Sequence, residues 1–165
     1  MEVTGGPLNV NPVATPNAVC RGDSTRLHAA AGGGNVGHYS YSWSSDPPGF
    51  TSSSPEPMVK PAVNTIYSVT VTDEYNQTSG STQVIIHPDP YIYLGPSDTT
   101  ICIYDSIILD AGDQGAAYLW SNGATTRTIS FGTTGIGFDA QHYDVEVINS
   151  YGCRSTSGIN VFFSL

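Results

Sequence analysis

Apolar and polar positions alternate with period two in several short stretches of this chain. Tyr67, Val69 and Val71 alternate with Ser68, Thr70 and Thr72. Tyr143, Val145 and Val147 alternate with Asp144 and Glu146, and the pattern ends at the apolar Ile148. Successive side chains of a strand point to opposite faces, so these runs predict half-buried β-strands. Thr82-Gln83-Val84-Ile85-Ile86 and Ile159-Asn160-Val161-Phe162-Phe163 read as closing strands, rich in β-branched and aromatic residues. Turn-forming clusters separate the runs: Gly32-Gly33-Gly34, Asp46-Pro47-Pro48-Gly49, Asp73-Glu74-Tyr75-Asn76, Ser121-Asn122-Gly123 and Tyr151-Gly152. No stretch carries helical periodicity, so the expectation is an all-β chain.

The pattern also repeats. Cys20-Arg21-Gly22-Asp23-Ser24-Thr25-Arg26-Leu27-His28-Ala29 aligns with Cys102-Ile103-Tyr104-Asp105-Ser106-Ile107-Ile108-Leu109-Asp110-Ala111. Tyr41-Ser42-Trp43-Ser44 aligns with Tyr118-Leu119-Trp120-Ser121, and Tyr67-Ser68-Val69-Thr70-Val71 with Tyr143-Asp144-Val145-Glu146-Val147. Three blocks in one order predict two tandem modules, residues 1–88 and 89–165, divided at His87-Pro88-Asp89-Pro90. Roughly seven short strands per module, with turns between them, indicate a β-sandwich. In such a fold Trp43 and Trp120 are expected between the sheets. Tyr67 and Tyr143 open the penultimate strand, the place of a tyrosine corner whose hydroxyl ties a crossover to the sheet.

The motifs Cys-x-Gly-Asp-Ser-x-x-Leu, Tyr-x-Tyr-x-Trp and Tyr-x-Val-x-Val-x-Asp resemble the immunoglobulin-like and PKD-like repeats of secreted and cell-surface proteins of Bacteroidetes, of adhesin and gliding type. Val19–Ser24, Gly37–Phe50 and Thr65–Asp73 carry the resemblance in the first module. Thr100–Ala111, Tyr118–Ile129 and Tyr143–Cys153 carry it in the second. The aspartate-rich Trp-Asp-Phe-Gly-Asp signature of the PKD type is absent, which favours the immunoglobulin-like description. The resemblance implies two tandem immunoglobulin-like β-sandwiches in a non-catalytic segment of an exported protein, acting as a spacer or an adhesion module. The implied partners are neighbouring repeats of the same chain and a surface ligand, glycan or protein.

Composition narrows the function classes. The 165 residues include 5 Lys and Arg against 14 Asp and Glu, a net charge of -9. That balance offers no electrostatic footprint for nucleic acid and little for an anionic membrane surface. No apolar run reaches the ~20 residues of a membrane-spanning helix. The start, Met1-Glu2-Val3-Thr4-Gly5-Gly6, has neither the basic nor the apolar region of a secretory signal. Two readings are open, a cytosolic protein or a segment cut from a longer exported one; the expectation is the second, extracellular or at the cell surface.

The three cysteines are Cys20, Cys102 and Cys153. The internal alignment places Gln77 opposite Cys153, so the first module has one cysteine and the second has two. The expectation is a Cys102–Cys153 disulfide, with Cys20 a free thiol. The loop closed would hold about 50 residues and stabilise the module by roughly 4 kcal/mol in the chain-entropy view. Three unrelated buried thiols is the competing reading.

Catalytic signals are missing. His28, His38, His87 and His142 are scattered, and no Gly-x-Ser-x-Gly, His-Glu-x-x-His or phosphate-binding loop occurs. The reading is of a non-enzyme without a cofactor. Calcium is the better metal candidate, since hard oxygen ligands abound; Asp110 with Asp113 is the pair to watch. The longer stretch before Tyr143 suggests a ligand loop, with Phe138, Asp139 and His142 as its candidate residues. Two alternatives to the spacer reading remain. One is a carbohydrate-binding module of a secreted enzyme, with Tyr39, Tyr41, Tyr91, Tyr93, Tyr104, Tyr118 and Tyr151 as the candidate rings. The other is a self-assembling surface fibre joined through edge strands.

Overall fold

The structure, a computed structural model, describes residues 6–132 and 140–164. These residues form strands and no helix. The chain divides into two compact units, Met1–His87 and Pro88–Leu165. The first contains β1 (Asn9–Val10), β2 (Val13–Thr15), β3 (Ala18–Cys20), β4 (Thr25–His28), β5 (Ala31–Gly32), β6 (Ser40–Asp46), β7 (Thr51–Ser52), β8 (Met58–Val59), β9 (Thr65–Thr72) and β10 (Gln77–His87). The second contains β11 (Asp98–Cys102), β12 (Ser106–Asp110), β13 (Ala117–Trp120), β14 (Thr128–Gly132), β15 (Gln141–Ile148) and β16 (Arg154–Ser164).

In the first unit one sheet has the order β3-β10-β9-β6-β7 and the other β2-β4-β8; β1 and β5 form a short separate pair. Pro16 lies between β2 and β3 and has no N–H to donate to a ladder. There the chain passes from one sheet to the other. β3 then runs parallel to the closing strand, with Ala18 opposite Ile85 and Cys20 opposite His87. The other pairings are antiparallel. Period two puts Tyr67, Val69 and Val71 inward from β9, where they join Leu27 of β4, Trp43 of β6 and Val84 of β10 in one core. Each fully buried aliphatic side chain there contributes about 1.5–3 kcal/mol of transfer free energy.

Among the described residues the second unit repeats this plan with fewer strands. Its sheets have the orders β11-β16-β15-β13 and β12-β14. β11 runs parallel to β16, from Asp98 opposite Asn160 to Cys102 opposite Ser164. Leu109 and Ile129 from the small sheet meet Trp120, Val145, Val147 and Ile159 from the large one. Two antiparallel sheets closed over one core, with the strand near the start parallel to the last, make each unit an immunoglobulin-like β-sandwich.

The closing strands are longer than their apolar pattern suggests. β10 and β16 each have 11 residues and begin directly after the preceding turn. Their first halves are polar Ser, Thr and Gly segments, and ladder hydrogen bonds to β9 and β15 hold them. In both turns one side chain replaces the missing partners. The Asp73 carboxylate accepts the N–H groups of Tyr75 (2.8 Å) and Asn76 (2.6 Å). The Asn149 carbonyl accepts those of Tyr151 and Cys153, both at 3.0 Å.

Candidate functional site

The cysteines depart from expectation. Cys20 and Cys153 are disulfide-bonded, and Cys102 is an exposed free thiol. The expected Cys102–Cys153 bridge does not form, and Cys20 is not the free thiol. Register is the reason. Cys102 lies opposite Ser164 at the far end of β16, whereas Cys153 directly precedes Arg154 at its start. At ~3.3 Å per residue the intervening strand separates them by roughly 30 Å. A disulfide requires α-carbons within about 7 Å. Cys20 and Cys102 are each the last residue of the strand parallel to the closing one.

Trp43 and Trp120 are each 1% exposed, and each indole N–H donates to a backbone carbonyl, of Ser54 (2.9 Å) and Thr126 (2.8 Å). A buried indole would otherwise leave its donor unpaired. Tyr67 is buried edge-on against Phe50, with ring centroids 5.5 Å apart. Burial raises the Tyr67 phenol's pKa, and a hydrogen bond with Thr65, two residues before it, opposes that shift. Tyr143 is half-buried and stacks on Phe131 at 4.1 Å. Two other tyrosines tie their hydroxyls to the backbone, Tyr39 to the Gly33 carbonyl and Tyr118 to the Gly112 carbonyl. Each spans six residues on the approach to the tryptophan strand.

Of the acidic pair considered for calcium, Asp110 is held by an arginine. Arg127 donates to both oxygens of Asp110, at 2.7 and 2.8 Å, and the Gly112 N–H donates to Oδ1. The Arg127 hydrogen bonds, then the Gly112 N–H, lower the Asp110 pKa. Asp113 adds its charge to the field on Arg127. Among the described residues no group of three or more His, Cys, Asp or Glu is placed to hold a metal ion.

Of the three ligand-loop candidates, Phe138 and Asp139 lie outside the described residues. His142 is described, on the outward face of β15, and it joins a chain of polar groups across three strands. Its Nδ1 lies 2.6 Å from Asn160 Oδ1 and its Nε2 lies 3.0 Å from Asp144 Oδ1. Asn160 Nδ2 donates to Asp98 Oδ1 at 2.9 Å. Asn160, then Asp144, holds the His142 pKa above its ordinary value. Gly158 leaves room for the group: a Cβ there would lie 2.5 Å from Asp144 Oδ1 and 3.1 Å from His142 Cε1. Sequence reading missed Asn160 and Asp98. The only local signal was a polar side chain at position 160 amid apolar neighbours.

The first unit presents a different surface. On the outward face of its large sheet, Ser42, Thr70 and Ser79 stand in one row and Ser44, Ser68 and Ser81 in the next. At one end of the unit is a shallow cleft of about 300 Å³, whose lining includes Pro47, Phe50, Lys60, Pro61 and Tyr67.

No family model matches the chain, and no curated protein does. Solved structures similar to it include the three N-terminal domains of the bacteriophage RB49 highly immunogenic outer capsid protein, Hoc, with 17% identity, 94% of this chain and 58% of that one covered, and a TM-score of 0.44. The N-terminal four Ig domains of Dscam1 isoform 6.9 match with 14% identity, 99% and 47% coverage, and a TM-score of 0.44. Murine CEACAM1b matches with 16% identity, 96% and 100% coverage, and a TM-score of 0.38. The chain thus spans about half the length of the first two. The immunoglobulin-like assignment rests on the strand order and pairing within each unit.

Proposed function

We propose that this chain is a non-catalytic, extracellular immunoglobulin-like segment of a bacterial surface or secreted protein, and that it acts as a spacer or adhesion module without a cofactor. One observation carries the reading. In each unit the strand near the start lies parallel to the closing strand, β3 beside β10 and β11 beside β16. Tension applied through the two ends of a unit loads such a pair in shear, so its hydrogen bonds resist together rather than opening singly. That suits a module that transmits force between a surface and something bound farther out. The disulfide-bonded Cys20 and Cys153 favour an oxidising compartment, in keeping with export. Pulling the whole chain end to end by single-molecule force spectroscopy tests the reading, with reductant present, because the disulfide at Cys20 and Cys153 would otherwise shield the residues between them from the load. Two discrete high-force unfolding events are expected, and Ile101→Pro, which removes a donor from β11, should weaken one of them. A smooth extension without resolved events would defeat the proposal.

A second reading, glycan binding, is favoured by the exposure of Tyr91 (70%), Tyr93 (65%) and Tyr104 (91%) in the second unit. Planar rings offered to solvent suit sugar faces. A glycan array separates the two readings, since saturable binding abolished by Tyr91→Ala or Tyr93→Ala would favour this one.

A further inference from the structure

The polar chain on the second unit satisfies its hydrogen bonds in only one protonation state. An ionised carboxylate only accepts, so Asp98 fixes the Asn160 amide with Nδ2 toward itself and Oδ1 toward His142. Oδ1 also only accepts, so the His142 Nδ1 must carry a proton. Asp144 lies at the other ring nitrogen and requires a second. With both ends of the chain acceptors, an imidazolium satisfies every link and a neutral imidazole leaves one unmade. We propose that Asp98, Asn160, His142 and Asp144 form a proton-operated latch, which fastens edge strand β11 to β16 when His142 carries two ring protons and slackens it when one leaves.

The position of the latch gives it leverage. β11 is an edge strand with five residues, paired on one side to β16. Asp98 is its first residue and stands opposite Asn160, so the side-chain link reinforces the end where the ladder begins. The groups around His142 leave few other influences among the described residues. Asp144 faces it from its own strand, and Asp98 acts through Asn160. Ser121, just past β13, receives the Asp144 N–H on its Oγ. The next charged pair along the sheet, Glu146 with Arg154 at 2.8 Å, is mutually engaged. A group whose pKa is raised on folding stabilises fully below its unfolded value, about 6.5 for histidine, and the contribution disappears as pH rises through the folded value. The latch is therefore closed in mildly acidic solution and open in alkaline solution.

Hydrogen exchange read by NMR on the full chain tests this, at about pH 5.5 and about pH 8. Protection factors, already corrected for the intrinsic exchange rate, should fall about threefold or more for the β11 amides as pH rises, with β9 amides as internal reference. His142→Gln should remove that fall. Asp98→Asn should remove it too, because an amide at 98 frees Asn160 to turn and serve a neutral imidazole; it should also lower the His142 ring pKa. Asp98→Asn changes an exposed, isosteric side chain, so it decides the matter should His142→Gln fail to fold. Constant β11 protection in the unaltered chain, or a fall that persists in Asp98→Asn, would overturn the latch.

Discussion

The two units share an interior and differ on the outside. Each buries a tryptophan whose indole N–H is taken by a backbone carbonyl, each packs a central strand of inward valines against a leucine from the opposite sheet, and each sets an early strand parallel to its last. Their outward sheet faces are unlike. Rows of Ser and Thr occupy the first, and the second carries the Asp98–Asn160–His142–Asp144 chain and the Glu146–Arg154 pair. Shape and solvent exclusion constrain inward positions, while outward positions keep their ladder bonds with almost any side chain. One plan therefore carries rows of small hydroxyl side chains in one unit and a titrating chain of polar groups in the other.

The largest expected effect probes the shared interior. Trp43→Ala and Trp120→Ala should each cost about 3–5 kcal/mol, from the cavity left and the orphaned carbonyl. Urea unfolding followed by circular dichroism measures it, with the remaining tryptophan reporting on the unaltered unit as reference. A loss below ~1 kcal/mol in either unit would mean that its ring is not the keystone of its core.

Next come the turns, where the units use different chemistry for one task. Asn149→Ala removes acceptors for two N–H groups and a donor to the Pro88 carbonyl, and should cost about 1–3 kcal/mol. Asp73 does the same work with a charge, and also accepts the Asn35 N–H at 2.9 Å. The Asn35 N–H, then that of Tyr75, lowers its pKa. A depressed carboxylate stabilises above its unfolded value, about 3.9, and the contribution is lost as pH falls through the folded value. Asp73→Asn should therefore flatten the acid limb of the stability profile, while Asn149→Asp should introduce one. Thermal melts at several acidic pH values read both.

The smallest stability effect belongs to the exposed Asp110–Arg127 pair. Arg127→Ala should shift the melting temperature only slightly, and the shift should vanish in high salt, as expected of a solvated ion pair. The cysteine assignment is sharpened without unfolding the chain. Alkylation without reductant should place one label, on Cys102, and reduction should expose Cys20 and Cys153. A label on Cys20 under non-reducing conditions would return the cysteines to the arrangement expected from sequence.

Much of the architecture could be read from local pattern. Tyr67-Ser68-Val69-Thr70-Val71 announces a half-buried strand because a strand's side chains alternate whatever lies beside it. Gly22 and Gly152, with φ of +88° and +84°, mark turns because few other residues enter that region without strain. The polar first halves of β10 and β16 were not legible: Ser79, Gly80 and Ser81 have weak strand preference, and the partner strand keeps them extended.

The sequence by itself determined that this protein is built of strands, where its turns fall, and that Trp43 and Trp120 sit in comparable surroundings. Those properties arise from steric preferences and side-chain alternation within a few residues. Tertiary structure alone decided which cysteines are oxidised, which tyrosines tie the approach to the tryptophan strand, and that His142 meets Asn160 and, through it, Asp98. These depend on register between strands distant in the chain. A one-residue shift would turn every side chain to the other face, and the packing of the whole core selects the register.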